Sequence, residues 1–255
     1  QGSFLANLTQ SDTNSIKIGL TGTPLITKDY YSKDLFGNYI HKYYYNASIA
    51  DGYTLRLIRE EIESDYKIVL KDALDKIKVI KGDIERQKVF AHPNFVEPML
   101  DYIVNDFEKS RLTFSDSSIG GMVVCDSSEQ AKEMFRIFNE KYAFKPEQEE
   151  ELLTAADPKT DYKFKQKHNY KVKTAALILH DIGSPQERKD FVEDFKEGEI
   201  DFLFVYNMLL TGFDAKRLKK LYIGRVIKRH NLLQTLTRVN RTYKNFKYGY
   251  VVDFA

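Results

Sequence analysis

From residue 116 onward, short apolar runs alternate with amphipathic stretches. The runs at 122–125, 175–179, 202–206, around Leu221 and at 249–254 have the length and flanking residues of buried strands. Between them, 128–142, 185–196 and a stretch holding Gln234 carry the apolar spacing of helices. This alternation predicts an α/β domain on a doubly wound parallel sheet, with ligand-binding loops at the carboxyl ends of the strands. The Gly-Ser-Pro-Gln start at 183–186 and the Thr-Gly-Phe-Asp loop at 211–214 are expected at those ends.

The earlier part of the chain reads differently. Ile-Lys-Ile-Gly-Leu at 16–20 is an apolar run stopped by Gly22 and Pro24, which predicts a buried strand at the tail of a preceding domain. Aromatic residues crowd 39–45, a strand-like pattern covers 53–58, and charged helical segments fill 65–81. A long amphipathic helix is predicted from Asn94, its cap, with Phe95, Met99, Tyr102, Ile103 and Phe107 facing the second core. Three regions result: 1–28, the connector 29–115, and the α/β domain 116–255. Within the last, 145–173 passes from Glu-rich to Lys-rich sequence without a period and reads as an insertion.

Composition narrows the function classes only a little. A chain of 255 residues that is 42% hydrophobic can bury one large core or two smaller ones. Its 39 basic and 37 acidic residues leave a net charge of +2, so any nucleic-acid surface must be local. Cys125 is the sole cysteine, which excludes an intrachain disulfide and a cysteine-cluster metal site and fits a reducing cytoplasm. The five histidines show no ligand spacing, so no metal site is predicted. No secretory signal or spanning stretch is read, which predicts cytoplasmic localisation and no membrane partner.

The chemistry-bearing residues lie in ordered clusters. Gln234, Arg238 and Arg241 follow one another at offsets of four and three, which on a helix would place all three on one face. Two arginines there can serve as a solvated basic face or as planar donors to phosphate oxygens. Gly212 and Asp214 make either a simple turn or a ligand loop. Ser127 and Ser128 follow the first core strand, where they cap a helix or offer its amino end to a phosphate. Gln186 and Arg188 open a helix whose Phe191 and Phe195 are expected to face the core. Lys163, Lys165 and Lys167, interleaved with aromatics, form a solvated loop or a nucleic-acid backbone contact. His180 beside Asp181 lacks an accompanying nucleophile and reads as a strand-end polar pair.

In their order, these clusters resemble the second motor half of a superfamily 2 helicase. GLTGTPL at 19–25 is similar to motif III of such motors, and Phe36-Gly37, the run at 46–53, GGMVVCDSSEQA at 120–131 and HNLLQTLTRVNRTYK at 230–244 resemble the motor (R) subunit of type I restriction enzymes. The resemblance spans about 17–253 and implies a RecA-like fold of the P-loop NTPase kind, with 1–28 closing the first RecA-like domain and 116–255 forming the second. It implies that one of Arg238 and Arg241 contacts the γ-phosphate as an arginine finger while the other supports it, that Gly212, Asp214 and Gln234 lie at the nucleotide, and that Thr21, Gly22 and Thr23 couple the motor halves. Ser127, Ser128, Gln186, Arg188 and the three insertion lysines are the candidate DNA contacts, each with the structural alternative of a cap, a helix start or a solvated loop. Tyr206-Asn207 stands where the family carries a Thr-Asp pair.

The implied activity is ATP-dependent translocation on double-stranded DNA, in company with methyltransferase and specificity subunits. ATP and Mg²⁺ are the implied cofactors. No Gly-Lys-Ser/Thr phosphate loop or acidic pair precedes TGTP, and no nuclease motif is present. The Mg²⁺ ligands are therefore expected outside this chain, which is read as part of a larger enzyme and inactive by itself. Another superfamily 2 motor, or a DNA-binding scaffold with a motor fold, would share many of these clusters.

Overall fold

The computed structural model describes residues 36–81, 86–143, 170–227 and 229–254, together with 7, 10, 11, 13–22, 24 and 33. Among the described residues the elements run α1 (Tyr45–Ala50), β1 (Arg56–Glu61), α2 (Ser64–Lys81), α3 (Arg86–Phe90), α4 (Pro93–Phe114), β2 (Gly120–Val124), α5 (Ser128–Lys141), β3 (Ala175–Ile178), α6 (Pro185–Glu197), β4 (Phe202–Val205), β5 (Leu218–Ile223), α7 (Arg229–Leu236) and β6 (Tyr248–Asp253). The six strands form one sheet in the order β1-β6-β5-β2-β4-β3, and every pairing is parallel. This is the open, helix-covered α/β sheet that the hydrophobic pattern predicts.

Period-two alternation divides the core between the two faces of the sheet. Val123, Phe202, Phe204, Tyr222 and Val252 pack with α4 and α5, whereas Met122, Val124, Leu203, Val205, Leu221 and Val251 pack with Phe195 of α6. β2 begins with two glycines because rings press on it closely. A Cβ on Gly120 would come within 2.5 Å of the Phe195 ring, and one on Gly121 within 2.3 Å of Phe202. Opposite them β5 bulges: Gly120 pairs with Leu218 and Gly121 with Lys220, leaving Lys219 as the extra residue.

The connector shares this core. β1 lies parallel to β6 at the sheet edge, and α4 buries Phe95, Val96, Met99, Leu100, Ile103, Val104 and Phe107. Each fully buried side chain of this size contributes about 1.5–3 kcal/mol, so α4 is as much a part of the sheet domain as α5. Its cap is His92, whose Nδ1 accepts from the Asn94 amide at 3.2 Å, rather than Asn94. Pro93 suits the first helical position, where its lacking N–H costs nothing.

Two expectations fail. Residues 16–20 run as irregular chain, not a buried strand, with Ile16 91%, Ile18 66% and Leu20 95% exposed. A strand requires a neighbouring strand to satisfy its backbone, and the sheet of described residues includes none beside 16–20. On α6, Phe195 is fully buried but Phe191 is 40% exposed. The inward stripe passes through Arg188, Val192 and Phe195, the four-and-three spacing that leaves Phe191 on the outer side. The insertion read at 145–173 lies mostly outside the described residues.

Phe107→Ala tests whether the connector helix is integral to the sheet. Its ring packs against Phe202 at 4.6 Å between centroids, and truncation is expected to cost about 3–5 kcal/mol in urea unfolding. A loss below about 1 kcal/mol would mean that α4 is attached without sharing the core.

Candidate functional site

The arginine cluster is assembled at the amino ends of β5, β6 and β1. Helix α7 stops at Leu236, and Arg238 and Val239 close on it through shorter bonds, from Arg238 N to Thr235 O at 3.1 Å and from Val239 N to Leu236 O at 3.4 Å. Arg241 lies beyond the helix in an isolated antiparallel bridge to Thr54. The single helical face expected for Gln234, Arg238 and Arg241 is therefore absent. The reason is competition for backbone partners: the Leu55 amide takes the Asn240 carbonyl at 2.7 Å, and Lys219 takes that of Arg241.

The loop at 212–214 joins the cluster. Gly212 adopts φ +72°, a turn conformation that suits glycine, after which Phe213 plunges into the core and Asp214 stays exposed. Arg238 donates to the Phe213 carbonyl and, through Nε, to the Gln234 carbonyl at 2.9 Å. Arg241 Nε donates to Asp214 Oδ1 at 2.9 Å. The loop begins at the carboxyl end of β4, but Phe213 and Asp214 have already crossed to the amino end of β5. Their expected carboxyl-end position is corrected accordingly: a parallel sheet obliges each connection to return before the next strand begins.

The two guanidiniums differ in how firmly they are held. Burial and the neighbouring Arg241 charge both lower the Arg238 pKa, while Asp214 opposes them. Arg238 is fixed by carbonyls. Arg241 has a side chain 39% exposed, paired with a carboxylate that is 62% exposed. An ion pair so placed contributes at most about 1 kcal/mol, so an incoming phosphate can exchange for Asp214 at little cost.

The other sequence-predicted residues stand elsewhere. Ser127 is buried and caps α5, its Oγ accepting from Gln130 N at 3.1 Å, and Ser128 Oγ meets Glu129 Oε1 at 3.2 Å. Gln186 donates to Asp190 at 2.7 Å. Arg188 donates to the carbonyls of Ile182 and Gly183 at 2.8 and 2.7 Å. These four residues open α5 and α6 at the carboxyl ends of β2 and β3, the opposite end of the sheet from the arginines. Thr21 and Gly22 are exposed. Thr23, Lys163, Lys165 and Lys167 lie outside the described residues. Asp181 pairs with Lys132 at 3.0 Å, a surface contact. Among the described residues no group of three or more His, Cys, Asp or Glu could hold a metal, and no helix is long and apolar enough to cross a membrane.

The geometry joins with clear sequence similarity. The family described as type I restriction enzyme subunit R domain 3 matches residues 117–255. The chain belongs to the R subunits of type I restriction enzymes. Residues 1–88 match the SWI2/SNF2 ATPase family. The endonuclease subunit of the type I restriction enzyme SauCOLORF180P from Staphylococcus aureus strain COL is 28% identical over 265 residues, covering 94% of this chain and 28% of that protein. The chain thus spans little more than a quarter of that R subunit. Among solved structures, an HsdR fragment from Vibrio vulnificus YJ016 superposes with TM-score 0.52 at 19% identity over 92% of this chain and 38% of its own. The Type ISP restriction-modification enzyme LlaBIII, solved bound to DNA, does so with TM-score 0.51 at 10% identity, covering 87% of this chain and 13% of that one. Both share its fold.

One residue of the site escaped the sequence reading. Lys219 is fully buried, and its Nζ donates to the Arg241 carbonyl. The signal was present in two consecutive lysines inside the otherwise apolar run at 218–223. Lys220 faces the other side, paired with Asp106 at 2.7 Å and Glu60 at 2.9 Å.

Burial, aided by the Arg241 charge, pushes the Lys219 ammonium from 10.5 down to about 7. Folding then releases a proton between those values. The associated stability is complete above the unfolded pKa and is lost as pH falls through about 7. Lys219→Met is expected to remove this component, which changes stability by about 1.4 kcal/mol per pH unit at most. Urea midpoints of both proteins between pH 7 and 9 check it. Parallel profiles would show that the ammonium stays hydrated in the folded protein.

Proposed function

We propose that this chain forms the arginine-finger side of the ATP cleft, and part of the DNA track, in an ATP-dependent double-stranded DNA translocase of a type I restriction complex. Residues 1–28 would close the first motor half and 116–255 form the second. Residues 29–115 join them while lending β1 and α4 to the second half. Methyltransferase and specificity subunits would complete the assembly, and Thr21, Gly22 and Thr23 would couple the halves.

The observation that carries this reading is the pairing of Arg241 with exposed Asp214 beside a carbonyl-locked Arg238. One guanidinium is free to exchange partners, and the other fixes the loop that holds the exchangeable one. The donor set fits a nucleotide: two planar guanidiniums and Gln234 suit phosphate oxygens, and an exposed carboxylate suits a ribose hydroxyl. ATP with Mg²⁺ supplies the γ-phosphoryl group whose transfer drives the motor, and the chain carries no phosphate-loop sequence to hold it. Arg241 would donate to the charge that develops in the transition state, Arg238 would maintain the loop, and Asp214 would receive Arg241 again when the cleft opens. Ser127, Ser128, Gln186 and Arg188, together with the insertion lysines, would meet the DNA backbone.

Arg241→Ala in the complete subunit is expected to lower DNA-stimulated ATP turnover by about 10³-fold or more, with DNA association retained. Arg241→Lys should restore little, since a point charge lacks the planar fork. The chain alone should hydrolyse no ATP. Near-normal turnover in a folded Arg241→Ala enzyme would remove Arg241 from the site.

Neutralising Lys163, Lys165 and Lys167 together should flatten the dependence of DNA affinity on salt by roughly 0.9 for each phosphate that they neutralise. An unchanged slope of log affinity against log salt would make these lysines a solvated loop.

A further inference from the structure

Arg241 owes its place to its backbone, and the backbone is held from several sides. Lys219 reaches the Arg241 carbonyl from β5. The Leu55 amide takes the adjoining Asn240 carbonyl, and Thr54 bridges Arg241. Tyr45 in turn donates its hydroxyl to the Leu55 carbonyl. Gly249 of β6 lies so near that a Cβ there would come within 2.1 Å of the Val239 carbonyl. We propose that Lys219 is a positioning residue for Arg241, which with the Tyr45-anchored strap at 54–55 sets where the arginine side chain emerges. This rests on the arginine-finger reading above.

The bulge supports it independently. Lys219 is the extra residue between the two pairings of β5 with the glycines of β2, and the pairing of β5 with β6 begins only at Lys220. A bulge re-aims the side chain that it carries, and here the chain is aimed at the carbonyl of the candidate finger. Lys220 supplies the contrast. It is buried on the same strand and surrounded by Asp106, Glu60 and the Ser110 hydroxyl, as expected of a lysine retained in a stabilising network. Lys219 meets a carbonyl acceptor and, at 5.9 Å, the face of Tyr243, while the like charge of Arg241 acts against it. A methionine would fill the same volume without the cost of burying an ammonium or of stripping its proton. What the lysine adds is the directed hydrogen bond to the arginine segment.

The test compares Lys219→Met, Tyr45→Phe and Arg241→Ala in the complete subunit by DNA-stimulated ATP turnover, ATP KM, DNA affinity and thermal midpoint. For Lys219→Met, kcat should fall about 10–100-fold, the loss that a misplaced catalytic group brings, while KM and DNA affinity hold and the thermal midpoint does not drop. Tyr45→Phe should give a smaller loss, again in kcat. A purely structural lysine would instead lower the midpoint and spare the turnover of the folded enzyme, which overturns the proposal. So does an unchanged kcat in Lys219→Met or, should that variant not fold, in Tyr45→Phe. An inactive Arg241→Ala beside a normal Lys219→Met removes the positioning role alone. A fully active Arg241→Ala removes the arginine-finger reading and this inference with it.

Discussion

The sheet depends on how positive charge is buried at the amino ends of its strands. Arg111, reaching down from α4, pairs with Asp201 and donates to the Ile119 carbonyl at 2.9 Å. Arg217 donates to the carbonyls of Ser118, Phe195 and Ile200 at 2.6–2.7 Å, and burial lowers its pKa. Asp201 returns its second oxygen to the amides of Lys173 and Thr174 at 2.8 and 3.2 Å. A buried guanidinium is tolerable only when its charge is paired or its donors are taken up. Segments just before β2, β3 and β4, together with the Phe195 carbonyl of α6, take up most of the donors of these two. Without the guanidiniums, those carbonyls would be buried at a helix-covered edge with no water to replace the bond.

That clamp explains why the connector cannot be separated from the domain. The guanidinium that holds Asp201 belongs to α4, and the same helix presents Asp106 to the Tyr222 hydroxyl and Lys220, both on β5. Burying Lys220 with carboxylates from α4 and β1 ties the edge strand, the centre of the sheet and the covering helix into one polar network. Removing one member would leave another charge stranded, a loss of about 3–5 kcal/mol.

The sequence disclosed what depends on local period and concealed what depends on partners. Strands β2 and β4 are continuous apolar runs because both faces are covered, and α4 and α5 show their stripes, so the α/β architecture was readable from spacing alone. The end of α7 was not, because Arg238 and Arg241 keep helical offsets while the backbone is diverted by Leu55 and Lys219, residues far away in sequence. The run at 16–20 misled for the converse reason: apolar residues satisfy the pattern of a strand but cannot provide its neighbour. Lys219 was visible as an anomaly in β5, yet its meaning needed the bulge, which arises only when β5 is laid beside the glycines of β2.

The candidate site residues divide between the two ends of the sheet, and under the proposed function this would constrain any coupling of nucleotide to DNA within the domain. Arg238, Arg241 and Asp214 lie at the amino ends of β5 and β6, whereas the starts of α5 and α6 lie at the carboxyl ends of β2 and β3. Between the ends run the central strands β2, β4 and β5, buried along their length, with Arg111 and Arg217 buried at their amino ends. Such a core has few alternative packings, so in a motor it would convey motion by moving as one body. The parts able to change partner are at the surface: the Arg241–Asp214 pair and the helix starts. A motor built on this domain would store its states in how those surfaces meet their counterparts, with the sheet serving as the lever between them.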